Sequence, residues 1–197
     1  MTWANLKNLE YLTIVDYDPD YFYSMFPNDI FNLTYLGDFP SLKEVHIEYA
    51  GYSSIPESIG RLRNLEVLEL SSNSIETLPK SIGDLENLRL LNLDNNQLTS
   101  LPDEIGNLKN LEEWIASNNE ISSLPTSIGD LENLRILDMS YNKLESIPEE
   151  MANLKKLEKL DVSENKIYRL PMSVIFLDNL KWYDYRRRED DYLKFYK

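Results

Sequence analysis

Glu44, His46 and Glu48 alternate along one short stretch, and Glu69 follows His46 by 23 residues. Alternation places the first three on one face of an extended segment. Two or three carboxylates with one imidazole are donors of the kind that hold zinc or another divalent cation, so Glu44, His46, Glu48 and Glu69 form a candidate metal set. The competing expectation is an ordinary polar surface, because this is a chain with one histidine. Asp138, Asp161 and Asp184 likewise recur at intervals of 23. Stacked like charges raise the pKa of at least one member. The trio is expected to receive a basic partner, to bind a divalent cation weakly, or to be neutralised by Lys159 and Arg186, and the fold is expected to gain nothing from it.

Composition narrows the chemistry. There is no cysteine, which removes disulfides, thiolate zinc sites and thiol nucleophiles. The 197 residues include 20 Lys and Arg against 34 Asp and Glu, a formal charge of −14 that repels a nucleic-acid backbone or an anionic membrane surface. No apolar run approaches the roughly 18 residues of a membrane span, and MTWANLKNLE lacks the basic and apolar regions of a secretory signal. A cytoplasmic or secreted protein is therefore expected. Phosphate loops, a Ser-His-Asp order and enclosed carboxylate pairs are missing, so the expectation is a non-enzymatic protein without a cofactor.

A repeat positions these residues. Leu42, Leu65, Leu88, Leu111, Leu134, Leu157 and Leu180 are each separated by 23 residues. Three and five places after each comes an inward-facing residue, such as Leu68 and Leu70 or Trp114 and Ala116. This period of two marks a short strand. Trp114 is assigned to the core, with the small Ala116 compensating its volume. Asn73, Asn96, Asn119, Asn142 and Asn165 follow the strands, with donor and acceptor atoms to satisfy the backbone where the chain turns. Pro56, Pro79, Pro102, Pro125, Pro148 and Pro171 are expected to end each turn.

The pattern L-x-x-L-x-L-x-x-N-x-L-x-x-L-P-x-x-I-G-x-L-x-N resembles the leucine-rich repeat family over about residues 42 to 185. Its subtype looks like the repeats of intracellular Ras-group scaffolds and of small leucine-rich repeat proteins from pathogenic spirochaetes. The resemblance implies scaffolding or, for a bacterial member, a secreted factor at the host interface.

Physics gives the same fold. A unit this short cannot bury its leucines alone, so units stack strand beside strand. Strands about 4.8 Å apart at one edge with bulkier connections at the other bend the stack into an arc. An α/β-type solenoid is expected, a horseshoe with a concave parallel sheet and short helical or irregular convex segments. Residues 1–41 read as a degenerate N-terminal repeat and cap, 42–179 as six regular repeats, and 180–197 as a final strand and C-terminal cap, all in one domain. In the first unit Leu9, Leu12 and Ile14 make a strand, while Phe26, Pro27 and Ile30 echo the later turns around about ten inserted residues. Asn5 to Glu10 repeats Asn107 to Glu112 letter for letter, so the chain is expected to begin inside a repeat, with an exposed edge strand or with upstream sequence removed. A monomer or weak homodimer follows. At the other end Tyr192, Phe195 and Tyr196 are expected to shield the last leucines, and Arg186, Arg187 and Arg188 to form a solvated rim.

Equivalent positions form columns across the strands. Lys43, Glu66, Arg89, Glu112, Arg135, Glu158 and Lys181 alternate in sign, a salt-bridge ladder that favours the correct register. Two further columns point away from the core and place Val67, Leu90, Ile115 and Ile136 on the solvent face, which folding alone does not require. Tyr49 and Tyr141 can flank them. The expected partner-binding residues are Val67, Glu69, Leu90, Asn92, Ile115, Ile136, Asp138, Tyr141, Asp161 and Trp182. Together they form a rigid acidic sheet with a central apolar patch for a protein or peptide bearing basic groups. The alternatives are a metal-bridged assembly or a secreted host-interaction factor.

Overall fold

The structure is a computed structural model that describes residues 7–15 and 33–186. Phe26, Pro27, Ile30, Arg187, Arg188, Tyr192, Phe195 and Tyr196 lie outside the described residues. Eight strands form one parallel sheet in chain order: β1 (Tyr11–Val15), β2 (Glu44–Glu48), β3 (Val67–Glu69), β4 (Leu90–Asn92), β5 (Glu113–Ile115), β6 (Ile136–Asp138), β7 (Lys159–Asp161) and β8 (Trp182–Asp184). The sheet is open and bends as a horseshoe solenoid. From β2 onward, paired residues are 23 apart, as in Val67 with Leu90. Across the long first connection Leu12 still faces Val45 and Ile14 faces Ile47, so the inserted residues leave the register unchanged. Period-two burial fixes it, since a slip of one residue would expose the core row.

The inward residues make one continuous core. Leu42, Leu65, Leu88, Leu111, Leu134 and Leu157 are fully buried, and so are Trp114 and Ala116. Within it, the Trp114 Nε1–H has no hydrogen-bond partner among the described residues.

The convex side is built from short 3₁₀ segments: Leu33–Asp38, Glu57–Arg61, Lys80–Asp84, Asp103–Asn107, Thr126–Asp130 and Glu149–Asn153. The prolines do not end these turns; they open them. Pro56, Pro79, Pro102, Pro125 and Pro148 sit immediately before the segments, with φ between −76° and −67°. A ring-fixed φ and the missing N–H suit the entry to a helical turn and its unpaired first donors. The Pro56 carbonyl then accepts from Ile59, and the Ile59 carbonyl from Leu62, both at 3.0 Å. The last convex segment, Met172–Ile175, is a single α-helical turn.

Two asparagine ladders tie the strand side to the connections. The Nδ2 of Asn119 donates to the carbonyls of Leu93, Ala116 and Ser117 at 2.9 to 3.2 Å, while its Oδ1 accepts from the Leu98 N–H at 2.9 Å. Asn96, Asn142 and Asn165 repeat this arrangement in neighbouring units. A second ladder precedes five of the seven leading leucines: Asn64, Asn87, Asn110, Asn133 and Asn179 each donate to a carbonyl in the preceding repeat at 2.7 to 2.9 Å.

Candidate functional site

The candidate residues on the solvent side of the sheet are held by two kinds of constraint. Each strand fixes which side chain points outward, and the turn after it fixes the position of the last one.

At the N-terminal end, His46 on β2 lies between two carboxylates. Its Nε2 is 3.3 Å from Glu44 Oε2, and its Nδ1 is 3.4 Å from Glu69 Oε2 on β3. The imidazole nitrogens that a metal would need are thus directed at the carboxylates proposed as its co-ligands. Among the described residues, no group of three or more His, Asp or Glu is arranged to hold a metal ion. Glu44, His46 and Glu69 therefore form a small polar cluster on this face, which Glu48 is not seen to join among the described residues.

The central aliphatic residues are half-buried. Val67 and Leu90 are direct cross-strand partners, Leu90 faces Glu113, and Glu113 faces Ile136. Ile115 sits between Asn92 on β4 and Asp138 on β6. Leu90, Ile115 and Ile136 follow one another diagonally, within reach of side chains on one sheet face. Tyr49 and Tyr141, at the ends of their strands, are 46% and 44% exposed and held at positive φ, 54° and 55°. Left-handed backbone is unfavourable for a bulky residue, so both tyrosines are placed by the turn around them.

Asp138, Asp161 and Asp184 lie side by side on β6, β7 and β8. All three accept hydrogen bonds from the turn that follows their strand, which the sequence expectation does not include. Ser140 donates its N–H and Oγ–H to Asp138 Oδ1 at 3.0 and 2.7 Å, and Ser163 does the same to Asp161 Oδ1 at 3.1 and 2.6 Å. Each carboxylate thereby closes the end of its strand. Burial pushes the Asp161 carboxyl above its ordinary value, and the charges of Asp138 and Asp184 act in the same direction. Burial also acts to raise Asp184, but the hydrogen bonds and charge of Arg186 outweigh it and hold that group low. Arg186 reaches both oxygens of Asp184, with Nε at 2.9 and 3.1 Å and Nη2 also bonded to Oδ2. Arg186 is thus a strand-end partner more than a solvated rim. Lys159, the other expected neutraliser, instead stands over the Trp182 ring, 5.1 Å from its centre. A cation over an indole face is itself favourable.

The charge-alternating column lies beside this face. Arg89 pairs with Glu112 at 3.0 Å, and Arg135 and Lys181 both pair with Glu158 at 2.8 and 2.7 Å. It extends one unit further than the sequence expectation, through Lys43 and Glu10 at 3.0 Å. Glu10 occupies the position after Leu9, so the same spacing that marks the first strand locates it.

A family model described as a leucine-rich repeat region matches residues 2–118, and a second described as leucine rich repeat matches residues 107–167. No curated protein matches the sequence. The structure is similar to a leucine-rich repeat protein of Leptospira interrogans, with 28% identity and a TM-score of 0.64 over 77% of this chain and 45% of that one. It is also similar to the ectodomain of the plant membrane receptor kinase GASSHO1/SCHENGEN3 from Arabidopsis thaliana, solved in complex with CASPARIAN STRIP INTEGRITY FACTOR 2. That likeness has 33% identity and a TM-score of 0.71 over 88% of this chain and 19% of that one. The chain spans less than half the length of either structure. As many as 424 solved chains match, so the fold by itself selects no particular partner.

Proposed function

The chain belongs to the leucine-rich repeat family, and from that premise we propose that it is a non-enzymatic interaction module whose concave sheet receives a protein or peptide with basic groups. One observation carries this reading. Glu113, Asp138 and Asp161 surround half-buried Val67, Leu90, Ile115 and Ile136, while Lys159 and Arg186 on the same face are engaged with Trp182 and Asp184, and His46 lies against Glu44 and Glu69. Apolar groups inside a charged rim are the make-up of a docking patch, and the unmatched negative charge favours a cationic partner. The parallel sheet fixes these side chains before a partner arrives, so little backbone freedom is lost on docking. An open sheet excludes water poorly, which disfavours catalysis. The plant receptor ectodomain, solved with a bound factor, supports a binding role of this general kind.

The test is capture from lysate by wild-type protein and by the double variant Leu90→Glu/Ile115→Glu, with circular dichroism confirming that the variant is folded. A partner retained by the wild type and lost by the variant supports the concave site. Equal capture by both would move binding to another face.

A further inference from the structure

The chain's own Arg186 demonstrates how a guanidinium sits on the aspartate column, because it reaches both oxygens of Asp184. Asp138 and Asp161 are the next two members of that column and are direct cross-strand neighbours. Their Oδ1 atoms are held by Ser140 and Ser163, while their Oδ2 atoms take no hydrogen bond or ion pair among the described residues. The carboxylates are therefore oriented in advance, about 5 Å apart as cross-strand neighbours are. A planar guanidinium has five donors and can serve two carboxylates at once, which an ammonium does less well. Ile115 stands beside Asp138 on the neighbouring strand, and Ile136 precedes Asp138 by two residues on its own strand. These aliphatic side chains suit the methylene stem of an arginine. Val67 and Leu90, paired across β3 and β4, form a separate apolar seat.

The two seats are three strand intervals apart, about 14 Å at roughly 4.8 Å per interval. An extended chain covers that distance in about four residues. We infer, on the premise that the concave sheet is the binding face, that its occupant is an extended segment crossing the strands. It places an apolar side chain on Val67 and Leu90, and an arginine about four residues away on Asp138 and Asp161. A formal charge of −14 complements such a segment at long range.

The probe is a displayed library of random twelve-residue peptides, selected on the immobilised full chain and rescored on two folded variants. Asp138→Asn/Asp161→Asn keeps the Oδ1 acceptors that close the strands and removes the charge. Leu90→Glu/Ile115→Glu blocks the apolar seat at Leu90 and the aliphatic wall beside Asp138, so it tests the whole concave face. The expected pool carries arginine with a large apolar residue three to five positions away, and its binding falls about tenfold or more on the asparagine variant or on Arg→Lys exchange in the peptide. A pool that is lost on Leu90→Glu/Ile115→Glu yet lacks this spacing, or ignores the asparagine changes, overturns the inference and leaves the concave reading standing. A pool indifferent to both variants overturns both. If no peptide is enriched over a blank surface, the inference fails, and the lysate capture alone decides the concave reading.

Discussion

Asn119 meets its four backbone partners while almost fully buried, so replacing it leaves donors and acceptors that water cannot reach. Asn119→Ala is expected to cost about 3 kcal/mol or more. Glu112→Ala, which removes an exposed ion pair with Arg89, is expected to cost less than about 1 kcal/mol in the same urea melts. Asp161 makes a different prediction. Its carboxyl is raised in the folded chain, first by burial, so the uncharged form is favoured and this contribution is present at low pH and lost as pH rises through the folded pKa. Asp161→Asn should therefore be more stable than wild type at neutral pH, and its advantage should vanish below about pH 4, where wild-type Asp161 is protonated as well. An advantage that persists or grows in acid would refute the assignment. The first asparagine ladder is legible in the sequence because one residue type recurs at one position. The strand-closing role of the aspartates is not, because it depends on where the chain turns bring the Ser140 and Ser163 hydroxyls. A row of identical charges looks purely repulsive until those donors are placed.

At the scale of elements, the convex segments approach so closely that a side chain on certain glycines would meet backbone. A Cβ on Gly106 would lie 2.4 Å from the Ser127 carbonyl oxygen, and one on Gly129 would lie 2.4 Å from that of Glu150. Gly106→Ala is expected to cost about 1 to 3 kcal/mol through forced displacement of the next repeat. The equivalent residue of the following unit but one is already Ala152, and there the next convex segment is the α-helical turn Met172–Ile175. Ala152→Gly should accordingly change stability by less than about 1 kcal/mol. Thermal melts of the two variants compare them directly, and equal destabilisation would mean that packing between convex segments does not set the glycine positions. Leu111→Ala, which opens a cavity in the core column, should cost about 2 to 5 kcal/mol. The strands and their register follow from the leucine spacing, since period-two burial leaves one alternative face and that face is charged. The helix type does not, because L-P-x-x-I-G is compatible with α or 3₁₀ winding. The 3₁₀ winding is kept even in Glu149–Asn153, where Ala152 replaces the glycine, so the glycine does not decide it.

For the whole molecule, each strand packs on the next strand and each convex segment on the next convex segment, so stability is a sum of local units and nearest-neighbour interfaces. The excess of 34 acidic over 20 basic residues is spread along this array, and few distant contacts offset it. Two electrostatic effects then respond to salt in opposite senses. Surface pairs such as Arg89 with Glu112 weaken, but each contributes only about 0 to 1 kcal/mol. Repulsion among the unpaired carboxylates is screened as well, over a Debye length that falls from about 10 Å at 0.1 M to about 3 Å at 1 M. Because unpaired acids outnumber paired ones among the described residues, the second effect should dominate, and the urea midpoint of the free protein should rise with sodium chloride. Attraction of an arginine-bearing segment to Asp138 and Asp161 should meanwhile weaken over the same range. Opposite salt slopes for folding and for peptide binding would tie both to the surplus negative charge. A midpoint that falls with salt would show instead that the paired columns outweigh the repulsion. The alternating ladder from Glu10 to Lys181 would then be the principal electrostatic support of the solenoid, and binding measured in high salt would have to be corrected for loss of the fold itself.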